Sequence, residues 1–159
     1  IYDGIYKKQN HYVHGHTYGG NPLSCAIALA VQNYIADNDL VARCAKMGDL
    51  MHEKLLPLEA SPIVSAVRGG HGLLNGVEFS KDKSTGEPFD PQQGVTSAFV
   101  NRVFDKGVLI MPGSAGMIDG GNGDHIAISP PFTISEEQIE QVAQVITDVV
   151  EEMEQELGY

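Results

Sequence analysis

After residue 62, short strand-like apolar runs alternate with segments whose apolar residues recur at helical spacing. This pattern constrains the fold class more than any other feature of the sequence. Residues 63–68 and 73–79 have the composition of strands and flank a glycine-rich turn. Apolar residues at helical spacing follow at 95–103, and short strand patterns come at 108–111 and 126–128. With a final helix, this order predicts an α+β unit: a largely antiparallel sheet with helices on one face.

The final helix carries the clearest local signal. Ser135 followed by Gln138 predicts a capping box, and Ile134 is placed to pack against Ile139. Apolar residues then recur at helical spacing to the end of the chain. The other faces carry eight carboxylates over residues 136–156 and no basic residue, which predicts a solvated surface.

The first sixty residues do not fit within that unit. Pro22 suits a first helical turn, and residues 23–36 are small or apolar on nearly every face, which predicts a helix buried on most sides. A second helical spacing covers residues 40–55. We therefore expect residues 1–60 and 61–159 to belong to different domains.

Composition and charge exclude several classes of partner. The 159 residues include 21 acidic and 10 basic side chains, and no cluster of lysine and arginine could neutralise a row of nucleic-acid phosphates. The longest apolar run, around residues 25–31, is too short to span a bilayer, and the first residues lack the pattern of a signal peptide. Cys25 and Cys44 fall in helical segments and are expected to be reduced core thiols of a cytoplasmic protein.

The densest polar cluster of the sequence, residues 11–22, allows a metal interpretation. His14 and His16 would lie on the same face of a strand, at a spacing found in zinc hydrolases, with His11 nearby. No aspartate follows closely, and the remaining histidines stand alone in the sequence. The prediction is therefore that the chain holds no metal.

The same cluster also allows an anion-binding interpretation. The hydroxyl of Thr17 and two glycines lead directly into a helix that begins near Asn21 and Pro22. Free amides and the helix dipole favour a phosphate or a carboxylate at such a place. A plain glycine-rich turn remains the alternative.

The sequence HGHTYGGNP at residues 14–22, followed by an alanine-rich helix, resembles the motif of class III (omega-type) pyridoxal-phosphate-dependent aminotransferases. Further segments resemble that family in the same order: Val67-Arg68-Gly69, Gly76-Val77-Glu78, Gly107-Val108-Leu109, and Gly123-Asp124 through Ser135. The resemblance implies a fold-type I transferase, with an α/β large domain and an α+β small domain. Residues 1–60 would then be the end of the large cofactor-binding domain with its linking helices, and residues 61–159 the C-terminal small domain.

The resemblance also implies a reaction and a cofactor. Members of this family move an amino group from an amine or omega-amino acid to a keto acid through pyridoxal 5'-phosphate. The residue matching Thr17 hydrogen-bonds the cofactor phosphate in the partner subunit's site, helped by the backbone of the residue matching His16. A homodimer with a shared cofactor site is therefore expected.

Two departures from the family pattern change what is expected of this chain. The family's Schiff-base lysine lies upstream of residues 14–22, and the lysines present here stand in other contexts: Lys7, Lys8, Lys46, Lys54, Lys81, Lys83 and Lys106. Because the chain also begins with Ile1 and not methionine, we expect a C-terminal portion of an aminotransferase that is inactive alone. The alternative is a stand-alone domain that binds an anion or a partner through the helix at 23–36, without catalysis.

The second departure concerns the substrate. Many pyruvate-coupled members carry an arginine shortly before the Gly-Asp that matches residues 123–124, where its fork clamps a carboxylate. Residues 112–124 contain no lysine or arginine here. Arg68 occupies a position expected to be structural.

Overall fold

The computed structural model describes most of the chain: residues 2–7, 14–113, 115–116, 120 and 123–159. The chain forms two compact units, Ile1–Asn38 and Asp39–Tyr159. No helix in the described ranges combines the length and hydropathy needed to cross a bilayer.

The first unit contains helices α1 (Tyr2–Tyr6) and α2 (Pro22–Asp37). The predicted start of α2 at Pro22 is confirmed. α2 is apolar on nearly every face, yet none of its residues is buried, so the described residues do not provide the cover predicted for such a helix. Its apolar residues point in all directions, and a unit of this size has too little other chain to cover them. Cys25 is exposed in α2 and is not a core thiol.

The second unit is built on a four-stranded antiparallel sheet. Its elements are α3 (Leu40–Leu55), β1 (Val64–Arg68), β2 (Asn75–Phe79), α4 (Val95–Asp105), β3 (Met111–Pro112), β4 (His125–Ile128) and α5 (Glu136–Leu157), with short 3-10 helices at Leu56–Ala60 and Pro91–Gln93. The strand order is β1-β2-β4-β3. Val77 at the centre is fully buried between Val67 on β1 and Ile126 on β4. The predicted α+β arrangement is confirmed.

One core lies between the sheet and its three helices. The largest fully buried side chains come from α3, the residue before β1, β4, α4 and α5: Met47, Met51, Leu55, Ile63, Phe99, Ile126, Ile139 and Ile146. The Phe79 and Phe99 rings pack at a centroid distance of 4.9 Å. The periodic apolar positions predicted for these helices are therefore the residues that form the core.

The start of α5 is confirmed as a capping box. The Ser135 hydroxyl accepts from the backbone amide of Gln138 at 3.1 Å, and the side-chain Oε1 of Gln138 accepts from the backbone amide of Ser135 at 3.0 Å. Arg43 of α3 donates to the carbonyls of Phe132 and Ile134, and so attaches α3 to the segment that precedes α5.

The acidic surface of α5 is not simply solvated as predicted. Lys46 and Lys54 of α3 pair with Glu136 and Glu140 at 2.8 and 2.9 Å. On the other side, α4 supplies Arg102 to Glu156 and Lys106 to Glu152. The cations come from other helices, so the sequence of α5 alone gives no sign of them.

The predicted buried strand at residues 108–111 is only partly correct. Val108 and Ile110 are buried, but only β3 pairs in the sheet, and it lies at the edge with both residues exposed. Leu109 is also exposed. Alternate side chains of this segment, Val108 and Ile110, cover the core before the chain reaches the sheet. Pro112 has no amide hydrogen and so cannot donate a further hydrogen bond between strands.

The opposite edge of the sheet is blocked by a side chain. The Glu59 carboxylate accepts a hydrogen bond from the Val67 amide of β1 at 3.2 Å. The Lys83 ammonium donates to the carbonyls of Glu59 and Ser61 at 2.5 and 3.1 Å. A register irregularity between residues 64 and 66 further interrupts β1.

Candidate functional site

The segment before α2 folds into tight turns. The Gly19 amide donates to the carbonyl of His16 at 2.9 Å, and the Asn21 amide donates to Tyr18 at 3.2 Å. Gly20 has φ +75°, which favours glycine. A Cβ at residue 19 would lie 3.1 Å from the His16 carbonyl oxygen. The turns themselves therefore favour glycine at residue 20 and, less strongly, at residue 19.

The N-terminus of α2 is capped from within the chain. The Asn21 side chain accepts from the amides of Leu23 and Ser24 at 3.1 and 3.2 Å, and the Asn21 carbonyl accepts from Cys25 at 2.9 Å. Pro22 has no amide hydrogen. The expectation of free amides in this first helical turn is therefore wrong, because Asn21 already occupies them.

The exposed donors of the segment lie one turn earlier. Thr17 is exposed, and within the described part of the chain no hydrogen bond uses its hydroxyl or the amides of Thr17, Tyr18 and Gly20. A hydroxyl and backbone amides are donors that suit phosphate oxygens. The residues present therefore fit one side of a phosphate group.

The histidines of the cluster show no metal geometry. The rings of His14 and His16 are exposed and meet edge to face, with centroids 5.4 Å apart. His11, the other histidine of the metal interpretation, lies outside the described residues. Among the residues that are described, no three histidine, cysteine or acidic side chains could together hold a metal ion.

In the second unit, the buried carboxylate of Asp124 caps α4. One of its oxygens accepts from the Thr96 amide at 3.2 Å and from the Thr96 hydroxyl at 2.6 Å. Gly94, at the cap position of α4, has no side chain for this purpose. The carboxylate also lies at the positive end of the helix dipole. The sequence indicates this contact only indirectly: Gly94 at the N-cap has no side-chain acceptor, and Thr96 follows in the first turn of α4.

His125 is a strand residue held by its neighbours, as the sequence favours. Its Nδ1 lies 2.7 Å from the Gly123 carbonyl oxygen, and its own carbonyl accepts from the Gly113 amide at 2.7 Å. A Cβ at residue 113 would overlap the His125 ring. Gly121 of the arginine-free loop lies outside the described residues, and Gly120 is exposed.

Arg68 of β1 forms an ion pair with Glu78 of β2. Its guanidinium forms a two-point ion pair with the Glu78 carboxylate, whose second contact is 3.1 Å long. The hydrogen bonds and charge of Glu78 raise the pKa of Arg68. Both residues line a shallow groove on the open face of the sheet, with His71, Leu74 and His125.

The described lysines all have partners. Six of them donate to an acidic side chain or to backbone carbonyls: Lys7, Lys46, Lys54, Lys81, Lys83 and Lys106. Lys8 lies outside the described residues. None of the six therefore presents an unpaired amine of the kind that a Schiff base requires.

Comparison with known proteins gives a consistent result. The family model for class III aminotransferases matches residues 2–150. The aminotransferase YodT of Bacillus subtilis is 37% identical over 90% of this chain and 32% of its own length. Gamma aminobutyrate transaminase 3, the chloroplastic protein of Solanum lycopersicum, is 33% identical over 89% of this chain and 26% of its own length.

Two solved structures extend the comparison to three dimensions. A transaminase from the marine bacterium Virgibacillus superposes with a TM-score of 0.85 at 28% identity, covering 99% of this chain and 34% of its own. An amine transaminase from an uncultivated Pseudomonas species, in its PLP-bound form, gives 0.76 at 32% identity, over 89% of this chain and 30% of its own. The chain thus spans about a third or less of each of these relatives.

Proposed function

Because the chain belongs to the class III aminotransferase family, we propose that the protein containing it transfers an amino group from an amine or omega-amino acid to a keto acid. The match over residues 2–150 is the observation that carries this proposal. Pyridoxal phosphate is the cofactor, and it supplies the electron sink that amino transfer needs.

In this proposal, residues 1–60 end the large cofactor-binding domain and provide linking helices, and residues 61–159 form the small domain. Support for the first part comes from α2, which is apolar on all sides yet has no buried residue. A helix of this composition is normally covered by other chain. Support for the second part comes from the sheet with α4 and α5, whose core is completed by Met47, Met51 and Leu55 of α3, one of the linking helices.

Thr17 contributes its hydroxyl to the cofactor phosphate, and the backbone of His16 helps to hold the same group. The exposed hydroxyl, which has no hydrogen-bond partner among the described residues, supports this role. The tight turns hold it in place, because Gly19 and Asn21 close hydrogen bonds on either side. The site belongs to the partner subunit, so the active protein is a homodimer.

The 159-residue chain contributes no Schiff-base lysine in this proposal and is inactive by itself. The partners of its six described lysines support this view. Its cytoplasmic location is part of the proposal, supported by the two free thiols Cys25 and Cys44.

The test is amino transfer by the full-length polypeptide that contains these residues, with Thr17→Ala and Thr17→Ser compared. We expect activity with an amine and a keto acid. Thr17→Ala should weaken cofactor affinity about tenfold or more, since it removes a hydrogen bond to a charged group. Thr17→Ser keeps the hydroxyl and should bind nearly as well. Unchanged cofactor affinity in Thr17→Ala would reject the assignment of this residue.

The exposed apolar surface of α2 also favours a second candidate, a stand-alone domain that binds a partner through α2 without catalysis. The two candidates differ in one measurement. A full-length polypeptide that neither binds pyridoxal phosphate nor transfers an amino group would support the second.

A further inference from the structure

The face of the sheet that points away from the helices carries little side-chain volume at its centre. One cross-strand row runs through the register of all four strands and consists of Arg68 on β1, Gly76 on β2, Ala127 on β4 and Met111 on β3. The residues on either side of Gly76 and Ala127 in their strands are buried, so these two positions lie on the open face. The row is therefore low in the middle, where its two smallest residues are paired.

Large apolar side chains border this low centre. Leu74, just before β2, is 66% exposed, and Met111 is 61% exposed. One shallow groove is lined by Leu74, Gly76 and Ala127. A second groove is lined by Ala127, Met111 and Leu109. Because Ala127 lines both grooves, they adjoin and make one apolar depression that crosses β2, β4 and β3.

The polar side chains beside the depression already have partners within the sheet. Arg68 and Glu78 neutralise each other across β1 and β2, and His125 Nδ1 lies 2.7 Å from the Gly123 carbonyl oxygen. The solvated face of an antiparallel sheet normally carries polar side chains at alternate positions. Here the central positions offer a glycine and a methyl group, and the border offers aliphatic and thioether chains. The depression therefore suits an uncharged apolar group better than a charged ligand.

We propose that this depression, lined by Leu74, Gly76, Ala127 and Met111, receives an apolar side chain from the part of the longer polypeptide that lies outside these 159 residues. The chain spans about a third or less of the relatives described above, so a protein of their length has ample further chain to cover the face. Covalent linkage brings such a segment to the face at an effective concentration that a separate partner rarely reaches. The inference rests on the proposed function only in placing this chain within a longer protein.

Photo-crosslinking in the full-length polypeptide identifies the occupant. A p-benzoylphenylalanine residue replaces Leu74, whose exposure leaves room for the larger ring. We expect irradiation to join this position to a peptide from outside residues 1–159, in a product that keeps the mass of one copy on a denaturing gel. The same probe in place of Phe104, which is 62% exposed on α4, should not capture that peptide. A product with the mass of two copies, or no crosslink at all, would overturn the proposal.

Oxidation by hydroxyl radicals gives a second readout that needs no variant. The rate at each methionine is compared between the folded and the urea-unfolded full-length polypeptide. We expect folding to slow the oxidation of Met111 several-fold, toward the protection of Met51, which is fully buried in the core. Oxidation of Met111 at nearly the unfolded rate would contradict the proposal. Neither readout measures amino transfer, so an inactive polypeptide that still gives the crosslink would reject only the proposed function.

Discussion

At the scale of single residues, the buried cap of α4 has the largest expected effect on stability. Asp124 accepts two hydrogen bonds from Thr96 and is 5% exposed. Asp124→Ala leaves the amide and hydroxyl of Thr96 buried without an acceptor. We expect a loss of about 2–3 kcal/mol in the free energy of unfolding, measured by urea titration.

The matched control for that prediction is Asp90→Ala. Asp90 accepts from the Gln92 amide at 2.9 Å, but it is exposed and caps only a short 3-10 helix. Its loss should cost about 1 kcal/mol or less. Equal effects of the two substitutions would contradict the importance of burial at Asp124.

Gly113 gives a second prediction at this scale. A Cβ there would overlap the His125 ring, so Gly113→Ala must displace a half-buried side chain held by Gly123. We expect a loss of about 1–3 kcal/mol in unfolding free energy, as for overpacking elsewhere. Gly15→Ala is the control, because nothing lies within 4 Å of that position. A neutral Gly113→Ala would mean that the His125 ring moves freely.

At the scale of elements, α5 forms exposed ion pairs with the two helices on either side of it. The hydrogen bond and charge of Lys46 lower the pKa of Glu136 below its usual value. A carboxylate with a lowered pKa stabilises the fold above its unfolded pKa, and this stabilisation is lost as the pH falls through the folded value. Lys46→Met should therefore lower stability slightly at pH 7 and have a smaller effect near pH 3.

Urea midpoints at the two pH values measure that difference. Exposed pairs contribute little and are screened by salt, so the effect at pH 7 should shrink further at high ionic strength. Glu151→Gln, an exposed acid of α5, serves as the control and should not reproduce the pattern. A Lys46→Met effect that persists at pH 3 would point to lost packing of its aliphatic stem.

Contacts within the fold could be predicted from the sequence when the two residues lie close together along the chain. Ser135 and Gln138 are three residues apart, so the capping box of α5 could be read directly from the sequence. Asp124 and Thr96 are 28 residues apart, and only the fold brings them together. The ion pairs of α5 were missed for the same reason, since their cations belong to α3 and α4.

The candidate site divides in the same way. The turn before α2 follows from its local glycines, and its hydroxyl at Thr17 was identified from the motif. The prediction of free amides at the start of α2 overlooks the capping capacity of Asn21, although this residue is adjacent in the sequence. The contact of Thr17 with a cofactor phosphate in a partner subunit stays a prediction.

At the scale of the whole molecule, α2 is expected to cause self-association of the isolated 159-residue chain. Five of its large apolar residues are at least half exposed: Leu23, Ile27, Leu29, Val31 and Tyr34. Exposed apolar surface of this kind favours association. We expect oligomers by light scattering and a shift toward monomer in the double variant Ile27→Glu, Val31→Glu. Asn33→Glu, on an exposed polar position of α2, should leave the distribution unchanged, and a monomeric parent chain would contradict the prediction.

The blocked border of β1 determines what kind of aggregate such association can produce. Glu59 occupies an amide of β1 that an incoming strand would need, and the other border offers only two residues, one of them a proline. Strand-by-strand growth into amyloid requires a free row of backbone donors and acceptors. Aggregates of this polypeptide should therefore be amorphous and should dissolve in mild detergent. Dyes that stain amyloid fibrils should not bind to these aggregates.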